Sequence, residues 1–197
     1  NGEIYNYKEL RHDLLNKGYA FKSNSDTEVL LNGYHYYGID FIHKCIGMFA
    51  FGIYDKRTHQ TFIVRDRLGI KPLYYMVFKD QLLFSSEIKS ILSLSGMERN
   101  INYQAISSYL SFRYPILDDT FFENIYAVPP GNYICLEGNH YNIIKYWEAS
   151  VFYGNNADFG EEYYINKLKE LLSSSVKYRM ISDVPVGSYL SGGLDSS

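Results

Sequence analysis

Near the carboxyl end, Ser191-Gly192-Gly193-Leu194-Asp195-Ser196-Ser197 follows an apolar run. Two adjacent glycines let a backbone approach a phosphate closely. Small hydroxyl residues at a helix start add donors where the helix amides already carry partial positive charge. The expected arrangement is a strand over residues 186–190 entering a phosphate-binding loop that opens a helix. The lysine of the G-x-x-x-x-G-K-[ST] loop is missing, so this is not that loop. The plain alternative is a tight strand-to-helix turn with a good N-cap. At the amino end, Asn1-Gly2-Glu3 reads alone as a turn pair and a solvated charge. Asp26, within Ser25-Asp26-Thr27-Glu28, reads alone as part of a capping box that opens a helix.

Other reactive side chains are few. Cys45 and Cys135 are too few for a disulfide framework or a cysteine-based zinc site, and are expected to be buried thiols in a reducing compartment. Neither can use its own α-amino group as a base. The five histidines show no metal-ligand spacing. The net charge of −3 provides no basic footprint for nucleic acid or an anionic membrane. No stretch is long and apolar enough to span a bilayer, and no signal peptide is visible, so the expected location is cytoplasmic. The sequence opens without an initiator methionine and stops inside the phosphate-loop pattern. The expectation is therefore an internal piece of a longer protein.

The elements that must position these residues follow from periodicity. Leu10, Leu14 and Leu15 set a helix over residues 5–17, stopped by Gly18. A second helix follows Ser25 and ends at Gly38. From Gly47 the period changes to that of strands: 48–55 and 61–65, then 73–78 and 81–85 around Lys79-Asp80. Helices are expected over 86–94 and from the Asn102 cap to Phe112. Val128-Pro129-Pro130-Gly131 is a turn. Strands 133–137 and 143–147 form a last hairpin with Gly138-Asn139 at its tip. Residues 149–158 read as a linker, and 159–180 as an amphipathic helix with Tyr164, Leu168, Leu171 and Leu172 on one side.

Several blocks in order resemble the class II glutamine amidotransferases of asparagine synthetase type: Asn1-Gly2-Glu3-Ile4-Tyr5-Asn6, Arg65-Asp66-Arg67-Leu68-Gly69-Ile70-Lys71-Pro72-Leu73-Tyr74-Tyr75, Ser86-Glu87-Ile88-Lys89 and Val128-Pro129-Pro130-Gly131. Ser182-Asp183-Val184-Pro185-Val186-Gly187 joined to Ser191-Gly192-Gly193 completes the resemblance, and the latter is similar to the pyrophosphate loop of N-type ATP pyrophosphatases. The resemblance implies an α+β fold: an N-terminal-nucleophile-type glutaminase domain with antiparallel sheet layers and helices over 1–148, a linker over 149–158, and the start of an α/β ATP pyrophosphatase domain over 159–197.

It also implies chemistry. Asn1 and Gly2 would form an oxyanion hole, and Asn1, Gly2, Glu3 and Asp26 would hold glutamine. Leu190, Ser191, Gly192, Gly193, Asp195 and Ser196 would hold ATP, with Asp195 near Mg. The family's nucleophile, an N-terminal cysteine, is absent from this sequence, so the chain as given is expected to lack glutaminase activity. Arg65 and Asp66 read as a structural pair of charges at a strand end. Glutamine, aspartate and ATP are the expected small-molecule partners, and a homo-oligomer is left open. Two alternatives stay open: a sister enzyme that amidates another carboxylate, and a non-catalytic homologue that binds glutamine or nucleotide.

Overall fold

A computed structural model of the chain describes residues 1–152, 154, 157–182 and 184–194. The chain divides into two compact units, residues 1–153 and 154–197. The first unit is α+β. Its larger sheet is wholly antiparallel, in the order β1 (Gly2–Ile4), β2 (Gly47–Asp55), β3 (Gln60–Arg65), β7 (Asn132–Glu137) and β8 (His140–Lys145). A smaller sheet has the order β5 (Gln81–Ser85), β4 (Tyr74–Phe78) and β6 (Tyr126–Ala127). Helices α1 (Tyr7–Asn16) and α2 (Asp26–Tyr37) lie between β1 and β2 in the chain; α3 (Ile88–Leu92) and α4 (Tyr103–Phe112) lie between β5 and β6.

The core follows the pattern of the sequence. Leu10 and Leu14 of α1, Val29 of α2 and Phe41 pack against Ile4, Phe49, Phe62 and Val64 of the large sheet. Ile63 and Ile134, on neighbouring strands, join Leu73, Tyr75 and Val128 in a second apolar cluster. Residues on one strand alternate between the two faces, so β3 can serve both clusters. Gly33 is needed where α2 meets Phe41, because a Cβ there would lie 2.3 Å from the ring.

Local chemistry explains most boundaries. The Ser25 side chain accepts from the Glu28 N–H at 3.2 Å, as an N-cap should. The other half of the expected capping box does not form. The Glu28 carboxylate instead accepts from Lys22 N, Ser23 N and Ser23 Oγ, which fastens the loop before the helix. The Asn102 side chain caps α4 by accepting from Ala105 N at 3.1 Å. Lys79 and Asp80 both have positive φ, the backbone of a primed two-residue hairpin turn.

Four readings of the sequence need correction. The return strand of the last hairpin spans His140–Lys145 and not 143–147, because the two-residue tip lets pairing begin at once with Glu137 opposite His140. Trp147 instead turns back, donating its N–H to Gly131 O. The segment read as a turn at Asn1-Gly2-Glu3 contributes a strand, β1. No strand occurs among the described residues after 184, so the strand expected over 186–190 is absent. A lone extended segment has no neighbour to satisfy its backbone groups, and the described residues of the second unit offer none. Arg65 and Asp66 do not pair with each other, as described below. The second unit contains α5 (Glu161–Arg179), on which Tyr164, Leu168, Leu171 and Leu172 are exposed.

Candidate functional site

The geometry at the amino end is set by one short ladder. Asn1 and Ala50 exchange two main-chain hydrogen bonds, 3.0 and 2.8 Å, and Tyr5 N donates to Ile46 O at 2.7 Å. Antiparallel partners alternate between hydrogen-bonded and non-bonded pairs. Gly2, opposite Phe49, and Ile4, opposite Gly47, are therefore non-bonded pairs whose N–H groups point off the open edge of β1. Two glycines permit this approach. A Cβ on Gly2, which has φ +117, would lie 2.0 Å from Met48 O; a Cβ on Gly47 would lie 2.2 Å from Glu3 O. Asn6 completes the anchor, donating to Lys44 O and accepting from Ile46 N, both at 2.9 Å.

Asp26 stands at this edge. Its Oδ2 accepts from the Ile4 N–H at 3.0 Å, and its Oδ1 accepts from Thr27 Oγ1 at 3.4 Å. A cleft of about 140 Å³ is lined by Asn1, Gly2, Glu3 and Asp26, with Leu30 and Phe51 supplying apolar wall. Ile4 is buried, so the alternation of β1 sends the Glu3 side chain to the opposite, solvent side. The structure thus brings Asn1, Gly2, Glu3 and Asp26 together. Two carboxylates at a cleft suit a cationic group, and an outward N–H suits a developing negative charge.

The sequence reading gave no site role to the Arg65–Lys71 loop, yet it underlies this edge. Asp66 is 1% exposed. Its carboxylate accepts from four main-chain N–H groups, those of Phe49, Leu68, Ile70 and Lys71. The Arg65 guanidinium donates to Lys71 O, Val128 O and Gly69 O, and burial lowers its pKa from the ordinary value. Arg67 donates to Cys45 O and His43 O. All three charges hold backbone and not one another. Gly69 and Gly131 have positive φ where this loop meets the Val128–Gly131 turn, and Gly131 N donates to Asp66 O at 2.9 Å. A signal was present in the sequence: a carboxylate followed by a glycine turn can gather several N–H groups.

Neither thiol is placed for catalysis. Cys45 is fully buried, and that burial pushes its thiol up to about 12. Cys135, in β7, is raised by burial as well. In the second unit, Gly192 has φ +72 with open space around it, and Ser191 Oγ accepts from Gly193 N at 3.4 Å. Gly192 is thus a left-handed glycine with room for a neighbour, next to the Ser191 hydroxyl. Leu190 is exposed. Asp195 and Ser196 lie outside the described residues. Among the described residues no group of three metal-ligating side chains occurs, and no helix is long and apolar enough to cross a membrane.

Comparison with known proteins fits this geometry. Residues 1–147 match the family described as glutamine amidotransferase domain, and residues 167–197 match asparagine synthase. Among curated relatives, asparagine synthetase [glutamine-hydrolyzing] 1 of Bacillus subtilis is 40% identical over the whole chain, which covers 31% of that protein. Amidase chry2 of Gibberella zeae is 37% identical, again over the whole chain and 29% of the relative. The chain thus spans about a third of the length of these relatives. Among solved structures, the glutamine phosphoribosylpyrophosphate amidotransferase of B. subtilis aligns with TM-score 0.50 and 20% identity, over 75% of this chain and 28% of that one. That likeness concerns the fold alone.

Proposed function

The chain belongs to the glutamine amidotransferase family and is homologous to asparagine synthetases, and from that premise we propose that it is part of a glutamine-dependent asparagine synthase. Residues 1–148 serve as its glutaminase domain, 149–158 as a linker, and 159–197 as the opening of its ATP-using domain. The observation that carries the reading is the outward Gly2 N–H on the same strand edge as the clamped Asp26 carboxylate.

In this reading glutamine lies along the open edge of β1, its ammonium held by Asp26 and Glu3. A thiolate from outside these residues attacks the side-chain amide carbon. The carbonyl oxygen becomes an oxyanion, stabilised by the Gly2 N–H and the Asn1 side-chain amide. Donors fixed in advance act without reorganising as the charge develops. The C–N bond then breaks, ammonia leaves with the proton taken from the thiol, and water releases glutamate. Cys45 and Cys135 take no part, since burial keeps both protonated. Ser191, Gly192 and Gly193 hold the phosphates of ATP, with Leu190 against the nucleotide and Asp195 and Ser196 continuing the loop. ATP, with Mg, supplies the adenylyl group that activates the aspartate carboxylate for ammonia, releasing AMP and pyrophosphate. The relatives named amidases favour a second reading, in which the same architecture amidates another carboxylate.

The test is a double dissociation in the full-length protein. Asp26→Ala should lower kcat/KM for glutamine by about 10- to 100-fold, the loss of a hydrogen-bonded charge, while AMP release driven by added ammonia persists. Gly192→Ala, with a side chain at φ +72, should depress AMP release and spare glutamine hydrolysis. Equal loss of both activities in either variant refutes the assignment. Replacing aspartate by other carboxylates as acceptor separates the two readings.

A further inference from the structure

Helix α4 and the loop after it are built unlike a solvated surface. Residues 101–117 carry one charge, Arg113, whereas the ten residues of α1 carry four, Lys8, Glu9, Arg11 and Asp13. Ten residues with three serines and no ion pair make a marginal helix by themselves. Against its own unit α4 buries only Ala105 and Ser108. On the opposite side Tyr103, Ile106 and Leu110 repeat at helical spacing, with Tyr103 79% and Leu110 78% exposed. An apolar stripe of this kind ordinarily faces a core. Past the helix end the surface continues through Phe112 and Tyr114, whose rings lie 6.4 Å apart, to Leu117, 91% exposed at φ 58. Together these side chains offer on the order of 800 Å², what one partner gives to a standard interface, and a lone domain rarely leaves so much apolar surface open. Few charges with tyrosine and phenylalanine in excess is also the composition of an interface core.

We infer that α4 and the loop over residues 113–117 are the seat of the synthetase part that follows residue 197, an assignment that rests on the synthase reading proposed above. Two observations choose this occupant over a second copy of the chain. First, the chain spans about a third of the length of its curated relatives, so on that reading ample protein lies outside it to cover the face. Second, the face runs up to the glutamine edge. Burial pushes the Asp118 carboxyl up and the nearby Arg65 guanidinium pulls it down, which puts the end of the face beside Arg65. The loop of Arg65 underlies the glutamine edge and itself exposes Leu68 and Ile70. Ammonia released at that edge must reach its acceptor before water protonates it. The part that receives it therefore has to cover this side and keep water out.

The experiment places Tyr103→Cys, Leu110→Cys or Leu117→Cys in the full-length protein and follows maleimide labelling of each introduced thiol by peptide mapping. Native labelling should run at least about tenfold slower than labelling in denaturant, because a covered side chain reacts only through local opening. The protection should persist on dilution to nanomolar protein. Native labelling as fast as in denaturant overturns the docking. Protection that vanishes on dilution assigns the face to a second copy and overturns it as well. Leu110→Glu provides a second arm. After cleavage at a protease site inserted within residues 149–158, the two wild-type parts should co-elute on gel filtration and those of the variant should separate. Co-elution of the cut variant counts against the proposal. A native mass near 22.9 kDa would remove the synthase reading and the docking with it; fast labelling in a longer protein removes the docking alone.

Discussion

Asp66 and Phe49 exchange two hydrogen bonds: Asp66 N donates to Phe49 O at 2.9 Å, and Phe49 N donates to Asp66 Oδ2 at 3.3 Å. One residue past the end of β3, a side chain thus takes over the ladder and fixes the residue that faces Gly2. The same carboxylate holds three further N–H groups in its own loop. Asp66→Ala would leave one buried and three part-buried main-chain donors without this acceptor and should lower the unfolding free energy by about 2–4 kcal/mol. Asp66→Asn keeps one acceptor oxygen and should cost about half of that. Denaturant midpoints of the full-length variants check this, and a midpoint within error of wild type for Asp66→Ala would exclude the hub.

Cys45 should be chemically silent. Its thiol is buried, donates to Phe41 O at 3.5 Å and is pushed up to about 12, leaving almost no thiolate at neutral pH. Peptide mapping after iodoacetamide treatment of native protein near pH 8 should find Cys45 unmodified, with full labelling once denaturant is added. In the full-length protein, Cys45→Ser should leave the proposed glutamine hydrolysis nearly unchanged. Rapid native labelling, or a dead variant, would contradict the assignment.

Acid should weaken the far end of the large sheet. Arg57, through its guanidinium and its backbone N–H, holds the Asp55 carboxyl well below its ordinary value of 3.8, and Tyr34 Oη adds a bond at 3.1 Å. A carboxylate with a depressed folded-state pKa contributes stability that is complete above the ordinary value and is lost as pH falls through the folded value. The wild-type melting temperature should therefore drop below about pH 4. Asp55→Asn should be less stable at neutral pH and should show a shallower acid limb. Parallel acid limbs for the two proteins would show that Asp55 contributes nothing there.

Periodicity was enough for the helices and for the long strands, because Leu10 and Leu14 repeat at helical spacing and residues 48–55 carry a continuous apolar run. The resemblance supplied what periodicity could not, grouping Asn1, Gly2, Glu3 and Asp26, which the fold does bring to one cleft. Three features escaped for physical reasons. Strand β1 is three residues long and depends on the close approach of Gly2 to Met48 and of Gly47 to Glu3, which no local pattern encodes. Asp66 looked like half of an ion pair because its partners are backbone amides, three in its own loop and one on β2, which have no letter of their own. The strand expected over 186–190 had the right apolar content, but a strand is defined by its neighbours as much as by its composition.

The order of the large sheet also carries a temporal consequence. β3 is flanked by β2, made just before it, and by β7, whose residues follow about seventy positions later. At ribosomal rates of about 5–20 residues per second, one edge of β3 stays unpaired for on the order of ten seconds during synthesis. Phe62, Ile63 and Val64 lie on that edge strand. It is during synthesis, and not in the finished protein, that this apolar edge is most vulnerable to pairing with the wrong partner.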